Sequence, residues 1–435
     1  MRRALAVGAA LLAAAAARAD LDRIRITSDA DYERSVRALG TRIAWIGGPL
    51  QHGDVFLFDA AHPRDSGTPL ACPLSNPCRL TDDADDDQSP ALLDGGILWR
   101  TPNAIRFSDG VSVSVIPGAA DPALASHTSG ARAVWWGTDA VGAPGLYLFD
   151  ATRAIDAGPA GACPATNPCR IASGSPSFGS DGAHIHGARV VWGAVAPGGS
   201  DSEILLFDAD RPADAGAPAT CPDTNPCLVT SNDVGDDFPD VSDHWITWIR
   251  CPEPDCLSGS PDRVVLFDGE TETEIPDDFV GYRVVSAGPW LLWDGGLGGG
   301  KVLDTRRPRD VTGTNPEWLP GSFGLLLDDG RVLLDTSSDV AGVPIELRFY
   351  DLHRPAGPFP FSACPDGNPC VAVPAASLGS YDYSGDVIAW VECAPGIDSC
   401  YNDPTADLYY AAPEPSAALA GMAALLALLR GRRHH

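Results

Sequence analysis

Short apolar runs, each stopped by Asp, Gly or Pro, recur along the whole middle of the chain. One set ends on tryptophan: TRIAW (41–45), GGILW (95–99), ARAVW (131–135), ARVVW (188–192), HWITW (244–248), PWLLW (289–293) and DVIAW (386–390), with GRVLL (330–334) as an eighth copy closing on Leu334. A second run follows each, from DVFLFDA at Asp54 through EILLFDA at Glu203 to DLYYAA at Asp407. Enrichment in Val, Ile, Phe and Tyr between turn residues predicts strands, and nearly unbroken apolar character predicts that both faces are covered. Aligning IRITSDADYERSVRALGTRIAW (24–45) with CRLTDDADDDQSPALLDGGILW (78–99) completes a unit of four strands, A to D, in which the tryptophan-ending run is B.

Successive B ends lie 54, 36, 57, 56, 45, 41 and 56 residues apart. Self-similarity at that period indicates a propeller or a solenoid, and the two ends of the pattern distinguish them. The eighth unit stops after its C strand at Tyr410, while Ile24–Thr27 is a D strand with no unit before it. The N-terminal strand is therefore expected to complete the last blade and close the ring, which removes free sheet edges. The expectation is an all-β fold, a closed β-propeller of eight four-stranded blades over residues 20–412, with seven blades as the alternative. C strands ending in Asp, D strands of the Arg79-Leu80-Thr81 type and turns such as Leu93-Asp94-Gly95 resemble TolB-type propeller repeats over roughly residues 21–412. Where that family carries a Ser-Pro-Asp-Gly turn, this chain keeps fragments, Ser180-Asp181-Gly182 and Asp328-Asp329-Gly330. The resemblance implies the propeller strand order.

Both chain ends read as addresses. Residues 1–19 open with two arginines, Arg2 and Arg3, followed by an apolar run from Ala4 to Ala17 and small residues at Ala17 and Ala19; this is a secretory signal, with signal peptidase expected to cut after Ala19. At the other end, residues 413–435 hold Pro413-Glu414-Pro415-Ser416, an apolar run from Ala417 to Leu429, then Arg430, Arg432 and Arg433. This tail resembles the PEP-CTERM sorting signal read by exosortases in the envelope of Gram-negative bacteria. A run of 13 residues is short of the roughly 20 that span a bilayer, and the arginines supply a stop with the positive side inside. The competing reading is an ordinary apolar core helix. The resemblance implies exosortase processing near the motif, membrane contact only through the tail, and a propeller released from or attached to the envelope surface.

Charge narrows the partners. The formal net charge is −28 and Lys301 is the one lysine. Phosphate binding needs clustered Lys and Arg, so nucleic acid is excluded; an acidic surface suits an exported protein, expected as a monomer, or one that collects cations.

The twelve cysteines form six close pairs. Cys72 with Cys78, Cys163 with Cys169, Cys221 with Cys227 and Cys364 with Cys370 share the form Cys-Pro-x-x-Asn-Pro-Cys and fall between strands C and D; Cys251 with Cys256 and Cys393 with Cys400 fall between B and C, on the opposite face. Behind a secretory signal, local even pairs read as disulfides. Proline fixes φ at two positions and Asn tolerates the left-handed region, so the loop is bent in advance, and closing so small a ring stabilises by about 2–3 kcal/mol. Zinc is the alternative, but it wants two to four intervening residues and four converging ligands.

Acidic turns join strand D to the next strand A: Asp29 and Asp31; Asp82, Asp83, Asp85, Asp86 and Asp87; Asp233, Asp236, Asp237 and Asp240; Asp277 and Asp278. Calcium takes six to eight oxygens from such carboxylates, which makes Asp82, Asp83, Asp85, Asp86, Asp87, Asp233, Asp236 and Asp237 the calcium candidates. None fits EF-hand spacing, and a solvated turn that blocks edge pairing is the competing reading.

The remaining motifs are weaker. Gly295–Val302 nearly spells a P-loop but has Val302 where the metal-binding Ser or Thr belongs. His184 and His186 point to one side of a strand with no third metal ligand in view. One Trp per repeat reads as packing between blades rather than a sugar platform. There is no G-x-S-x-G, no H-E-x-x-H and no unpaired nucleophilic cysteine. The functional expectation is a non-catalytic, envelope-sorted propeller that binds a protein or a polysaccharide. The rivals are a lyase or glycosidase using carboxylates of the acidic face and a calcium-stiffened structural protein.

Overall fold

The computed structural model describes residues 22–27, 32–49, 52–116, 123–139, 141–174, 182–195, 201–251, 263–276, 283–294, 299–307, 317–320, 325–326, 330–335, 345–354, 370–384, 387–393 and 406–412. These contain strands and no helix. Strand β1 (Asp22–Arg25) precedes the first sheet, which orders β2 (Arg34–Leu39), β3 (Arg42–Gly47), β4 (Asp54–Asp59), β5 (Leu70–Ala71) and β6 (Cys78–Arg79) as β2-β3-β4-β6-β5. The next sheets are simple meanders. The second is β7 (Gln88–Leu93), β8 (Gly96–Thr101), β9 (Ala104–Ser108) and β10 (Val113–Ile116); the third is β11 (Ala123–Ser129), β12 (Arg132–Thr138), β13 (Pro144–Asp150) and β14 (Cys169–Ser173). The fourth holds β15 (Ala183–His186), β16 (Arg189–Val195), β17 (Ser202–Asp208) and β18 (Cys227–Leu228); the fifth, β19 (Gly235–Val241), β20 (Ile246–Cys251), β21 (Arg263–Phe267) and β22 (Glu272–Pro276); the sixth, β23 (Val284–Ala287), β24 (Trp290–Asp294), β25 (Gly299–Asp304) and β26 (Glu317–Pro320).

The last two repeats share one sheet, β1-β32-β31-β30-β29-β28-β27, built from β27 (Leu325–Leu326), β28 (Arg331–Asp335), β29 (Ile345–Asp351), β30 (Cys370–Ser384), β31 (Val387–Cys393) and β32 (Asp407–Ala412). The 15-residue β30 joins them: its first half pairs with β29 and its second half with β31. Strand β1 lies antiparallel on β32, from Asp22 opposite Ala412 to Arg25 opposite Tyr409. This is two residues ahead of the expected Ile24–Thr27, because beyond Arg25 the segment bonds differently: Ile26 N–H donates to the Leu408 carbonyl at 2.7 Å and Leu408 N–H donates to Thr27 Oγ1 at 2.8 Å. Within the P-loop-like stretch, Gly299–Val302 is strand, paired with β24 and β26.

Sheets stack through their B strands. Trp45, Trp99, Trp192, Trp248, Trp293 and Trp390 are fully buried and Trp135 nearly so. Each packs on the sheet before its own: Trp99 with Ala44 and Ile46, Trp248 with Val191 and Ile204, Trp293 with Ile249 and Val264, and Trp390 with Leu333. Trp45, in the first sheet, packs with Val387, Ala389 and Leu408 of the last. Losing one such side chain to alanine costs about 3–5 kcal/mol.

The A strands meet edge to edge and are joined by side chains reaching neighbouring backbone. Ser380, Asp382 and Ser384 on β30 accept the N–H groups of Val36, Ala38 and Gly40, and Ser129 accepts that of Gly187. Several A strands carry a β-bulge near their start, between Arg34 and Arg37, Gln88 and Ala91, and Asp237 and Asp240. The bulged residues Ser35, Ser89 and Phe238 hold φ of 55°, 48° and 53°, left-handed values that non-glycine residues adopt only where the surroundings compel them.

Candidate functional site at the sheet junctions

The bulges position a repeated polar junction. Two residues before each bulged residue stands an acid, Glu33, Asp87 or Asp236, all buried. Beside it comes the threonine that ends strand D of the preceding unit. Val55 N–H donates to Thr81 Oγ1 and Ile204 N–H to Thr230 Oγ1, both at 2.8 Å; Thr27 takes the corresponding bond from Leu408. A second acid stands at the start of the adjoining C strand, Asp54, Glu203 or Asp407. The sequence showed strand D ending in Thr, but its service to two sheets at once needed the structure.

In the junction between the first and second sheets, Thr81 Oγ1 lies 2.5 Å from Asp87 Oδ2 and 3.3 Å from Asp54 Oδ1. Burial pushes the Asp87 carboxyl up to about 7; the Thr81 bond opposes this and the charge of Asp83 adds to it. A protonated Asp87 donates through Oδ2 to Thr81 and frees the threonine hydrogen for Asp54 Oδ1. Around it, Arg106 bonds both Asp83 and Asp85, Arg79 bonds Asp54 and Asp82, and Asp86 meets Arg34, Gly53 N–H and Gln88. Asp83 is also partly buried, which pushes its carboxyl up, but Arg106 and Asp85 N–H outweigh this and hold it below the usual range.

The junction between the fourth and fifth sheets is built differently. Asp236 receives Arg250 Nε at 2.8 Å and Nη2 at 3.2 Å, Trp248 Nε1 at 2.8 Å and Asn232 Nδ2 at 2.7 Å. Burial works against the Arg250 charge, yet Asp236 and Glu272 raise its pKa above the ordinary value. Burial likewise raises Glu203, against bonds from Thr230 and Asn232 N–H. Asp237 receives Phe238 N–H on its own Oδ1, and Asp233 is exposed. A cavity of about 500 Å³ opens beside this junction, lined by Ser231, Asn232, Val234, Arg250, Arg263 and Glu274.

The calcium candidates thus divide between two junctions, and those other than the exposed Asp233 face arginines, a threonine and backbone amides. Among the described residues no three His, Cys, Asp or Glu side chains converge as a metal set. Asp29, Asp31, Asp277 and Asp278 lie outside the described residues. On the inner strands, His184 Nδ1 sits 2.9 Å from Asp240 Oδ1, His127 packs on the His184 ring at 3.7 Å, and Asp240 Oδ2 accepts Ser286 N–H. His186 Nε2 lies 2.9 Å from Asp243.

No protein-family model matches the sequence, and no curated protein matches it. Similar solved structures include the β-propeller domain of the trilobed protease from Pyrococcus furiosus, at 13% identity and TM-score 0.46, covering 74% of this chain and 95% of that one. TolB from Acinetobacter baumannii is similar at 16% identity and TM-score 0.31, covering 64% and 67%. An oligogalacturonate lyase in complex with manganese is similar at 10% identity and TM-score 0.41, covering 92% and 99%.

Three Cys-Pro loops are described, and all are oxidised: Cys72–Cys78, Cys163–Cys169 and Cys221–Cys227, each with Cα atoms 4.9 Å apart. The role expected of their asparagine is corrected. Among the described residues the non-glycine positions with positive φ are Ser35, Ser89 and Phe238, so the loop asparagines act through their carboxamides instead. Asn76 accepts Asp59 N–H and donates to the carbonyls of Asp59 and His62; Asn167 and Asn225 repeat this on Asp150 and Arg153 and on Asp208 and Arg211. Cys251, Cys370 and Cys393 are disulfide-bonded as well; Cys256, Cys364 and Cys400 lie outside the described residues. So do residues 1–19 and the tail with Pro413, Glu414, Pro415, Arg430, Arg432 and Arg433. No helix among the described residues is long and apolar enough to cross a membrane.

Proposed function

We propose that this chain is an exported β-propeller of eight four-stranded blades, closed by its N-terminal strand, sorted to a Gram-negative envelope by its tail, and acting as a non-catalytic module that binds another protein. Counting the seven-stranded sheet as two blades that share β30 supports the eight-blade reading. Support for closure comes from β1 on β32 and from Trp45 packed against the last sheet. Export is supported by the disulfides, which persist in oxidising compartments.

One observation carries the binding reading over the enzymatic one: among the described residues, six of the nine acidic-turn carboxylates proposed for acid–base work are committed to Arg34, Arg79, Arg106, Arg250 or Thr81 within the fold. The test incubates the mature protein with acidic and neutral polysaccharides and follows new reducing ends and unsaturated products. No product is expected; sustained turnover abolished by His184→Ala would replace this reading with an enzyme using the His184–Asp240 pair. Closure is tested by deleting residues 20–27, which should expose the β32 edge and lower the thermal midpoint.

A further inference from the structure

The outer strand of each sheet leaves backbone N–H and C=O groups unpaired, an invitation to foreign strands that proteins normally block. In three repeats the Cys-Pro loop does the blocking. Leu70 and Ala71 of β5 run parallel beside Cys78 and Arg79 of β6. Ala162 bridges Arg170 of β14 and Thr220 bridges Leu228 of β18 in the same sense, with Arg170 N–H donating to Gly161 and Leu228 N–H to Ala219. The fifth sheet uses charge instead, through Glu272 and Glu274 on β22. The closing strand β1 presents Arg23 and Arg25, paired with Glu392 and Asp407.

Among the described residues, strand β10 has none of these devices. The second repeat lacks the Cys-Pro loop; a tight turn in which Asp109 Oδ1 accepts the N–H groups of Val111 and Ser112 leads straight into the strand. From Gly110 to Ile116 the sequence is GVSVSVI, without a charge. Val111, Val113 and Val115 are 92%, 49% and 57% exposed, whereas Ile116 is fully buried. The result is an apolar, open edge on a chain of net charge −28.

We propose that β10 is a docking edge for an extended segment of a partner protein, one with alternating apolar residues and basic flanks, which adds to the second sheet as a further strand. This rests on the binding-module reading and names its surface. A second copy of this chain is the poorer occupant. Four-residue strands paired alone bury far less than the roughly 1,200 Å² of a stable interface, and they bring two strongly acidic chains together. Charge complementarity favours a basic segment. The molecule itself supplies a precedent in β1, an extended DRIR segment seated on an outer edge by strand pairing, with Arg23 over the Tyr409 ring and Arg25 on Asp407. Main-chain bonds would supply affinity, and Val113 and Val115 the side-chain contacts.

The test uses the mature full chain and a short synthetic peptide alternating valine and threonine between terminal arginines. A copy N-methylated at the strand-pairing amides serves as control. The expected result is saturable binding by fluorescence anisotropy, slowed amide exchange across Val113–Ile116, and affinity weakened about tenfold or more by Val113→Lys with Val115→Lys. Both valines are exposed, so an unchanged thermal midpoint is expected; Ser112→Lys offers a second, milder block. Equal binding of the methylated peptide, undiminished binding by the lysine variant, or no binding overturns the proposal. So does a dimer in sedimentation that the lysine variant dissociates, since the occupant is then a second copy. Failure at β10 with a partner bound elsewhere on the ring sinks this edge and spares the binding-module reading.

Discussion

Asp87 and Asp236 occupy the same place in two repeats. Each stands two residues ahead of a left-handed bulge residue, each is 0% exposed, and each lies beside the tryptophan-bearing B strand of its own sheet. Across the strand pair, however, Asp236 faces Arg250, while Gln88 faces Arg100, which leaves Asp87 across from Thr101. One side has a bidentate guanidinium; the other has a threonine that bonds its own turn at Ala104. The indole follows suit: Trp248 donates to Asp236 Oδ1, whereas Trp99 Nε1 and Asp87 Oδ1 have no hydrogen-bond partner among the described residues. The same burial thus yields an ion pair in one junction and a carboxyl pushed up to about 7 in the other. Burial alone does not decide the state of an acid; the residue one strand away does.

The sharpest way to break this contrast is Arg250→Thr, which leaves Asp236 buried with no cation opposite. A loss of about 3–5 kcal/mol in urea unfolding at neutral pH is expected, and a loss under 1 kcal/mol would show that Arg250 matters little.

The next effect is the pH dependence of Asp87. Its folded pKa is raised from 3.8 to about 7, so the native state holds this proton more tightly than the unfolded chain. Its contribution is fully present below about pH 4 and is lost as pH rises through 7. Asp87→Asn keeps the bond to Thr81 and cannot ionise. The variant should match the native protein near pH 4 and exceed it by about 4 kcal/mol at pH 8; parallel stability profiles would rule the shift out.

Thr101→Arg is the reciprocal transplant. Placing a guanidinium across from Asp87 should flatten that pH profile by about 1–2 kcal/mol, read from the same titration of stability. The smallest effect compares indoles: Trp248→Phe should cost about 1 kcal/mol more than Trp99→Phe, since only the first forfeits a hydrogen bond. Equal costs would mean that the Trp248 bond contributes nothing.

Much of the architecture was legible in advance, since strand existence depends on local composition and period. The eight B strands, the burial of their tryptophans and the oxidised Cys72, Cys163 and Cys221 loops all follow from residues close together in the chain. The candidate site was legible only as a list of acids. Glu203, Thr230, Arg106 and Arg250 were missed because none stands out in its own segment; each matters through a partner 21 to 27 residues or one bulged register away. The Asn role in the Cys-Pro loops was misjudged for a related reason, since its carboxamide serves carbonyls 14 and 17 residues earlier.

By itself the sequence determined the repeat, the strand order within it and the oxidised loops, because those rest on alternation, turn residues and short chain separations. The tertiary structure alone decided which acids are paired and which edge is open. Desolvation and charge pairing depend on what lies across a bulged strand pair, and the guarding of β6, β14 and β18 but not β10 depends on where each loop lands beside its sheet.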